Sequence, residues 1–134
     1  MRQLRAGRAR PLTRSSAGIM ILAECSDAEI GRITRHLNAT REEGAPEKLE
    51  EIRTIVEKSR YDGFACVIGR LLPGMGSLSV PLPVRDSFGK PLILSISGTE
   101  SELSNDPYAL ALSLFEEIGR LLPAQAATTA DNDP

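Results

Sequence analysis

A chain of 134 residues with 41% hydrophobic residues, no tryptophan and a net charge of −2 can form one small domain with a modest core. The charge balance excludes the basic excess that attracts nucleic acid or anionic lipid, so we expect no direct contact with DNA and none with a membrane. Cys25, Cys66 and the single His36 lack the density and spacing of a disulfide framework or a zinc site. We therefore expect free thiols in a reducing cytoplasm, no metal and no cofactor.

The beginning of the chain is basic, with five arginines and no acidic residue among the first fourteen residues. The apolar run from Ala17 to Ala23 is far too short to span a bilayer and is better explained as the first turns of a buried helix. An arginine-rich organelle presequence is an open alternative. We assign residues 1–9 to a basic segment, residues 10–123 to the folded domain and residues 124–134 to a disordered tail.

Helix signals dominate the chain up to Asp62. Three helices are predicted there, with their starts at Ser15 or Ser16, at Ser26 or Asp27, and at Pro46. Gly63 ends the third helix. A strand over Phe64–Ile68, a glycine-containing link and a hairpin follow, and Pro107 opens a last helix. Three helices, three strands and one helix are typical of an α+β domain, although three strands leave sheet edges that such domains usually pair.

The segment from Ser77 to Gly98 is predicted to form a β-hairpin with two chemically opposite faces. The apolar face carries Leu78, Val80, Leu82, Leu92, Leu94 and Ile96, and the polar face carries Ser77, Ser79, Ser95 and Ser97. With the turn centred on Ser87, Ser77 lies opposite Ser97 and Ser79 opposite Ser95. We expect Leu78, Val80, Leu94 and Ile96 to be buried against helices. The serine face is either a solvent-facing surface or the floor of a pocket for a small polar ligand.

Five segments of the chain carry recognisable motifs. They are Arg10 to Gly18 with Leu22-Ala23, Leu49 to Ile52, Asp62 to Ala65, Gly74 to Pro81, and Ser95 to Gly98. In order and spacing they resemble the effector-binding domain of IclR-type transcription regulators, over residues 10–122.

The resemblance implies a GAF-like (profilin-like) α+β fold, in which an antiparallel sheet is flanked by helices, here truncated at its N-terminus. It also implies binding of a small organic or aromatic acid and self-association as a homodimer or homotetramer. Such regulators carry a winged helix-turn-helix domain that binds DNA, which this chain lacks, so we expect a truncated product or a stand-alone remnant. No convergent nucleophile and base are recognisable, and we expect no enzyme.

The resemblance further implies a set of ligand-binding residues. They are Ser16, Ala17, Val67, Met75, Ser77, Ser95 and Ser97. Ser16 and Ala17 stand where family members present backbone N–H groups to a ligand carboxylate, and free amides at a helix N-terminus favour an anion. Plain N-capping explains the same serines. Ser95 and Ser97 match the Ser-x-Ser pair of the family, in agreement with the hydroxyl face of the hairpin.

One departure from the family pattern affects the ligand. Family members follow Gly-Phe-Ala with an acidic run that includes an Asp reaching the ligand, whereas Val67 replaces that carboxylate here. The effector must therefore differ or bind more weakly. Arg70 can supply a new cation for a carboxylate, but an arginine at a strand end is more often a solvated surface residue. A vestigial self-association module without ligand is the alternative function.

Overall fold

A computed structural model describes residues 12–42 and 44–122. The predicted segments at 1–9 and 124–134 lie outside the described residues. A 3-10 turn at Leu12–Arg14 is followed by α1 (Ser16–Ala23), α2 (Asp27–Thr40), α3 (Leu49–Asp62), β1 (Ala65–Ile68), β2 (Met75–Arg85), β3 (Pro91–Thr99), α4 (Glu100–Ser104) and α5 (Pro107–Leu121). The predicted α+β class is confirmed, whereas α4 is an additional short helix that begins directly after β3.

Side-chain caps set the start of every helix except α3. Ser15 Oγ accepts a hydrogen bond from the Gly18 amide at 3.0 Å and so caps α1. Ser26 and Glu29 form a reciprocal capping box at the start of α2. Gly63, with a φ of 80°, ends α3 in the left-handed conformation that glycine adopts without strain.

The start of α3 differs from the prediction, because the helix begins at Leu49 and not at Pro46. The Asn38 side chain of α2 donates to the Glu47 carbonyl at 2.9 Å and accepts from the Glu47 amide at 2.6 Å. Both backbone groups of Glu47 are therefore used outside the helix, and the segment before Leu49 stays extended.

The sheet is antiparallel, with strand order β1-β2-β3. The predicted hairpin register is confirmed, since Ser77 lies opposite Ser97 and Ser79 opposite Ser95. The turn occupies residues 86–90, where the Asp86 amide bonds the Lys90 carbonyl at 2.8 Å. The two faces therefore stay chemically opposite from Ser77 to Pro81, whereas the register shifts between Pro81 and Arg85, before the turn.

Each face of the sheet packs against its own helices. The serine face shares a core with α1, α2 and α3 whose buried members are Ile19, Met20, Leu22, Ile30, Ile52, Val56, Ala65 and Val67. The leucine face packs on α4 and α5 around Phe64, Leu78, Val80, Leu103, Ala111 and Ile118. The serine face is covered at Ser79, which is fully buried, and open at Ser95 and Ser97. The serine face is therefore not a plain solvent-facing surface, because helices cover it at β2 and leave it open only at β3.

Burial on the leucine face is uneven. Leu78 and Val80 are fully buried as predicted, and Ile96 is half-buried. The predicted burial of Leu94 is wrong, because its side chain is 37% exposed, and Leu92 beside it is 43% exposed. The reason is that α5 packs under β2 and leaves the leucine face of β3 partly open.

A polar contact joins α3 to α5. Lys58 Nζ donates to Asp62 Oδ2 at 2.7 Å and to the Tyr108 hydroxyl at 3.0 Å, and that hydroxyl donates to Asp62 Oδ1 at 3.0 Å. The hydrogen bond from Lys58 lowers the pKa of Asp62, and the bond to Asp62 raises the pKa of Lys58. The Tyr108 ring stacks edge to face on Phe64, with 5.3 Å between centroids.

Within the described residues, no helix has the length and hydrophobicity to cross a bilayer.

The uneven burial predicts unequal costs for two leucine truncations on the same face. Leu78→Ala leaves a cavity in a closed core and should lower the free energy of unfolding by about 2–4 kcal/mol. Leu94→Ala should cost less than about 1.5 kcal/mol, because much of that side chain already contacts water. Urea denaturation of the two variants measures both values. Equal losses would contradict the uneven packing of α5.

Candidate functional site

The turn before α1 approaches the helix so closely that only glycine fits at residue 18. A Cβ built on Gly18 would lie 2.0 Å from the Leu12 carbonyl oxygen, far inside contact distance. Thr13, in the same turn, is fully buried. The turn and the first residues of α1 therefore form one packed unit that sets the position of the helix N-terminus.

Ser16, the first residue of α1, joins the helix to the serine face of the hairpin. Its amide donates to Ser77 Oγ at 3.2 Å and its hydroxyl donates to the same oxygen at 2.6 Å. Ser16 Oγ also lies 2.6 Å from Ser79 Oγ, which lies 2.6 Å from Ser95 Oγ. Four hydroxyls from three elements thus form one continuous hydrogen-bonded row, the serine row.

The serine row has a direction, because each hydroxyl has a single proton. Ser16 donates its proton to Ser77, so it must accept from Ser79. Ser79 has then used its proton, so it must accept from Ser95. The proton of Ser77 is left to donate elsewhere, and the oxygen of Ser95 is left to accept. The row therefore presents a donor at Ser77 and an acceptor at Ser95.

The N-terminus of α1 adds a second donor. Ser15 caps the Gly18 amide and Ser77 accepts from the Ser16 amide, so neither amide is free. Of the two amides predicted to meet a carboxylate, only that of Ala17 has no partner among residues 12–42 and 44–122. Ala17 lies at the second position of α1, where the helix dipole favours an anion.

A cleft of about 180 Å³ lies between the start of α1 and the sheet. Its lining contains all seven residues predicted for the site, namely Ser16, Ala17, Val67, Met75, Ser77, Ser95 and Ser97. Arg14, Ser15, Arg70, Leu71, Leu72 and Gly76 complete the lining. Val67 is 5% exposed and Met75 is 40% exposed, so the apolar part of the wall includes a core residue and a more open one. The structure thus brings the seven residues together, and their contact with a ligand stays a prediction.

Arg70 is not the solvated surface residue that its position at a strand end favours. Its side chain is 21% exposed, its Nε donates to the Thr13 carbonyl at 3.1 Å, and its Nη2 donates to Glu47 at 2.6 Å. Arg14 binds the other oxygen of Glu47 at 2.8 Å and donates to the Arg70 carbonyl at 3.0 Å. One carboxylate therefore holds two arginines at the cleft wall.

Sequence reasoning missed part of this wall. Arg14 belongs to the basic run before α1, and no pattern in that run distinguishes it from its neighbours. Leu71 and Leu72 stand in a link whose loop conformation turns them towards the cleft. Glu47 is 23 residues from Arg70 along the chain. Arg70 was considered as a cation for a carboxylate, but nothing in the sequence indicates that it pairs with Glu47.

Solved structures similar to this chain are effector domains and regulators of the IclR type. The effector domain of the transcriptional regulator IclR from Acinetobacter sp. ADP1 has a TM-score of 0.68 and 21% identity, over 98% of this chain and 72% of that one. The repressor BlcR from Agobacterium tumefaciens has a TM-score of 0.66 and 21% identity, over 92% of this chain and 48% of that one. An IclR transcriptional regulator from Alicyclobacillus acidocaldarius has a TM-score of 0.63 and 24% identity, over 87% and 46%.

The protein chain therefore has the fold of an IclR-type effector domain, and the resemblance in its motifs is confirmed at the level of the fold. The chain spans about half the length of the BlcR and Alicyclobacillus proteins. No family model matches the sequence, and no curated protein matches it. The similar structures are those of transcription regulators and not of enzymes.

The close approach at Gly18 predicts a sharp contrast between two glycine substitutions. Gly18→Ala forces the Leu12 turn away from α1 and should lower the free energy of unfolding by about 1–3 kcal/mol or more. Gly119→Ala in α5 meets no atom within 4 Å and should raise stability by up to about 1 kcal/mol. Urea denaturation measures both changes. A Gly18→Ala protein as stable as the unmodified chain would contradict the packed turn.

Proposed function

We propose that this chain is the ligand-sensing effector-binding domain of an IclR-type transcription regulator and that its cleft binds a small organic or aromatic acid. The proposal is carried by two donors of the cleft, the Ala17 amide and the Ser77 hydroxyl, whose protons have no partner within residues 12–42 and 44–122. Two donors at a helix N-terminus suit the oxygens of a carboxylate.

The rest of the cleft defines the remainder of the ligand. A volume of about 180 Å³ is below the several hundred Å³ of pockets for drug-sized molecules, so the ligand is small. Val67 and Met75 provide apolar contact for its carbon skeleton, in place of the carboxylate that relatives have near Val67. Ser95 can accept a hydrogen bond from a hydroxyl group of the ligand, and Ser97 adds a further hydroxyl to the wall.

The signalling step follows from the position of the donors. A carboxylate held by Ala17 and Ser77 bridges α1 and β2, which the serine row already joins. Binding therefore stabilises the arrangement of helix and hairpin in which both donors reach the carboxylate. The stabilisation equals the difference between the ligand's affinity for this arrangement and its affinity for any other. We propose that this change is read by a DNA-binding domain of the regulator, in the cytoplasm, without a catalytic step.

The acid-binding proposal predicts the behaviour of a double serine variant. 4-Hydroxybutyrate, 2-hydroxyglutarate, 4-hydroxybenzoate and 4-hydroxyphenylacetate form a suitable panel, because each adds a hydroxyl group to its carboxylate, and at least one should raise the melting temperature of the unmodified protein. Changing Ser95 and Ser97 to Ala should abolish that rise, because the wall then lacks two hydroxyls. The unliganded melting temperature should stay within a few degrees, since exposed hydroxyls contribute little to folding.

Ser113→Ala is the matched control, because Ser113 is exposed on α5 and does not line the cleft. It should leave the ligand-induced rise unchanged. If none of the four acids stabilises the unmodified protein, acid binding by this cleft is overturned.

Self-association is the second proposed property, and the partly open leucine face of β3 favours it. Leu92 and Leu94 are 43% and 37% exposed there, and Leu112 and Phe115 of α5 are 58% and 38% exposed. Among the described residues, β3 has a paired strand on one edge only. Unpaired edges and exposed apolar side chains are the usual material of interfaces. We propose a homodimer, or a homotetramer built from it.

Sedimentation velocity tests this property over a range of protein concentrations. The unmodified chain should form dimers or tetramers, and Leu94→Lys should shift it towards monomer by placing a charge in the interface. Tyr61→Lys, at an exposed position of α3, which packs on the opposite face of the sheet, should leave the assembly intact. A monomer at every concentration would contradict the proposed interface.

A further inference from the structure

Arg14 and Arg70 are the only charged residues among the described residues that line the cleft. The remaining lining consists of serine, alanine, glycine and apolar side chains. The two side chains are 33% and 21% exposed, so water screens their charge less than at an open surface. The cleft wall is therefore cationic, although the chain as a whole carries a net charge of −2.

The charge of this wall is not fully balanced from within the described residues. Glu47, 9% exposed, neutralises one of the two positive charges by binding both arginines. Glu51 lies 3.8 Å from Arg70 Nη1, but its side chain is 59% exposed and water weakens the pair. A partly buried cation without a well-shielded counter-charge favours an anion in the adjoining space.

Both guanidinium groups retain donors for such an anion. Each has five N–H bonds. Arg14 Nε forms an ion pair with Glu47 at 2.8 Å, and one N–H of Nη1 donates to the Arg70 carbonyl. The Nη2 of Arg14 has no partner among the described residues. Arg70 uses Nε on Thr13 and one N–H of Nη2 on Glu47. The same contacts hold both groups in place, so an anion would meet donors that are already oriented.

We propose that Arg14 and Arg70 form a second anion site in the cleft, so that the ligand is a small dicarboxylic acid. The inference rests on the proposed function and specifies the chemical class of its ligand. One carboxylate meets the Ala17 amide and the Ser77 hydroxyl, which come from α1 and β2. The other meets the arginines, which come from the turn before α1 and from the link after β1. Because both donor sets are fixed, their separation selects the length of the acid.

Isothermal titration calorimetry at constant ionic strength, with acids of equal carbon number, tests the proposal. Glutarate and pentanoate have the same chain length and differ in the second carboxylate. Glutarate should bind at least about tenfold more tightly. Among malonate, succinate, glutarate and adipate, affinity should pass through a maximum at one length.

Three variants separate a ligand site from a merely structural ion pair. Arg14→Gln should reduce the preference for glutarate to about twofold or less, because one guanidinium is lost. Glu47→Gln keeps both arginines and removes the carboxylate that competes with the ligand for them, so it should increase the preference for glutarate. This variant also tests the second anion site if Arg14→Gln fails to fold. Arg85→Gln removes the same charge from the exposed end of β2 and should leave the preference unchanged.

The outcomes distinguish this inference from the function on which it rests. Equal affinity for pentanoate and glutarate overturns the second anion site and leaves acid binding intact. A preference for glutarate that Glu47→Gln does not increase, or that Arg85→Gln reduces as much as Arg14→Gln does, also overturns it. Binding of neither acid overturns both proposals.

Discussion

The hydrogen bonds of Ser16 to Ser77 and Ser79 are the contact on which the whole cleft depends. Ser16 is fully buried at the start of α1, and a buried hydroxyl without a partner costs about 1–3 kcal/mol. The facing serines of β2 remove that cost and fix the helix N-terminus against the sheet. They also occupy the Ser16 amide and hydroxyl proton, so that the Ala17 amide and the Ser77 proton are the donors here without a partner in the described part of the chain.

The position of the helices makes the two strands of the hairpin unequal. α1 covers the serine face at β2, and α5 covers the leucine face at the same strand. Both faces of β3 therefore remain partly open, with Ser95 and Ser97 on one side and Leu92 and Leu94 on the other. The proposed ligand cleft and the proposed association surface thus lie on opposite faces of one strand.

Local pattern was enough to predict the register of the four serines and the face that they share, because alternation fixes which side chains share a face. The other predicted residues of the cleft came from the resemblance to the family. The exposure of Leu94 was not predictable in this way, since it depends on which strand α5 covers. The start of α3 depends on the Asn38 side chain of another helix. The place of Arg70 depends on an ion pair with Glu47, a residue that the sequence assigns to the first turn of a helix but that lies before the observed start of α3. Each miss depends on how different elements of the fold pack together.

Carboxylate binding at the Ala17 amide can be detected residue by residue, in an amide-resolved NMR titration with glutarate. Hydrogen bonding to a carboxylate moves an amide proton downfield. We expect a saturable downfield shift at Ala17 and a smaller change at Gly18, whose amide already bonds Ser15. A titration in which the Ala17 signal does not move, or in which saturable shifts occur only away from the cleft, would contradict carboxylate binding at Ala17.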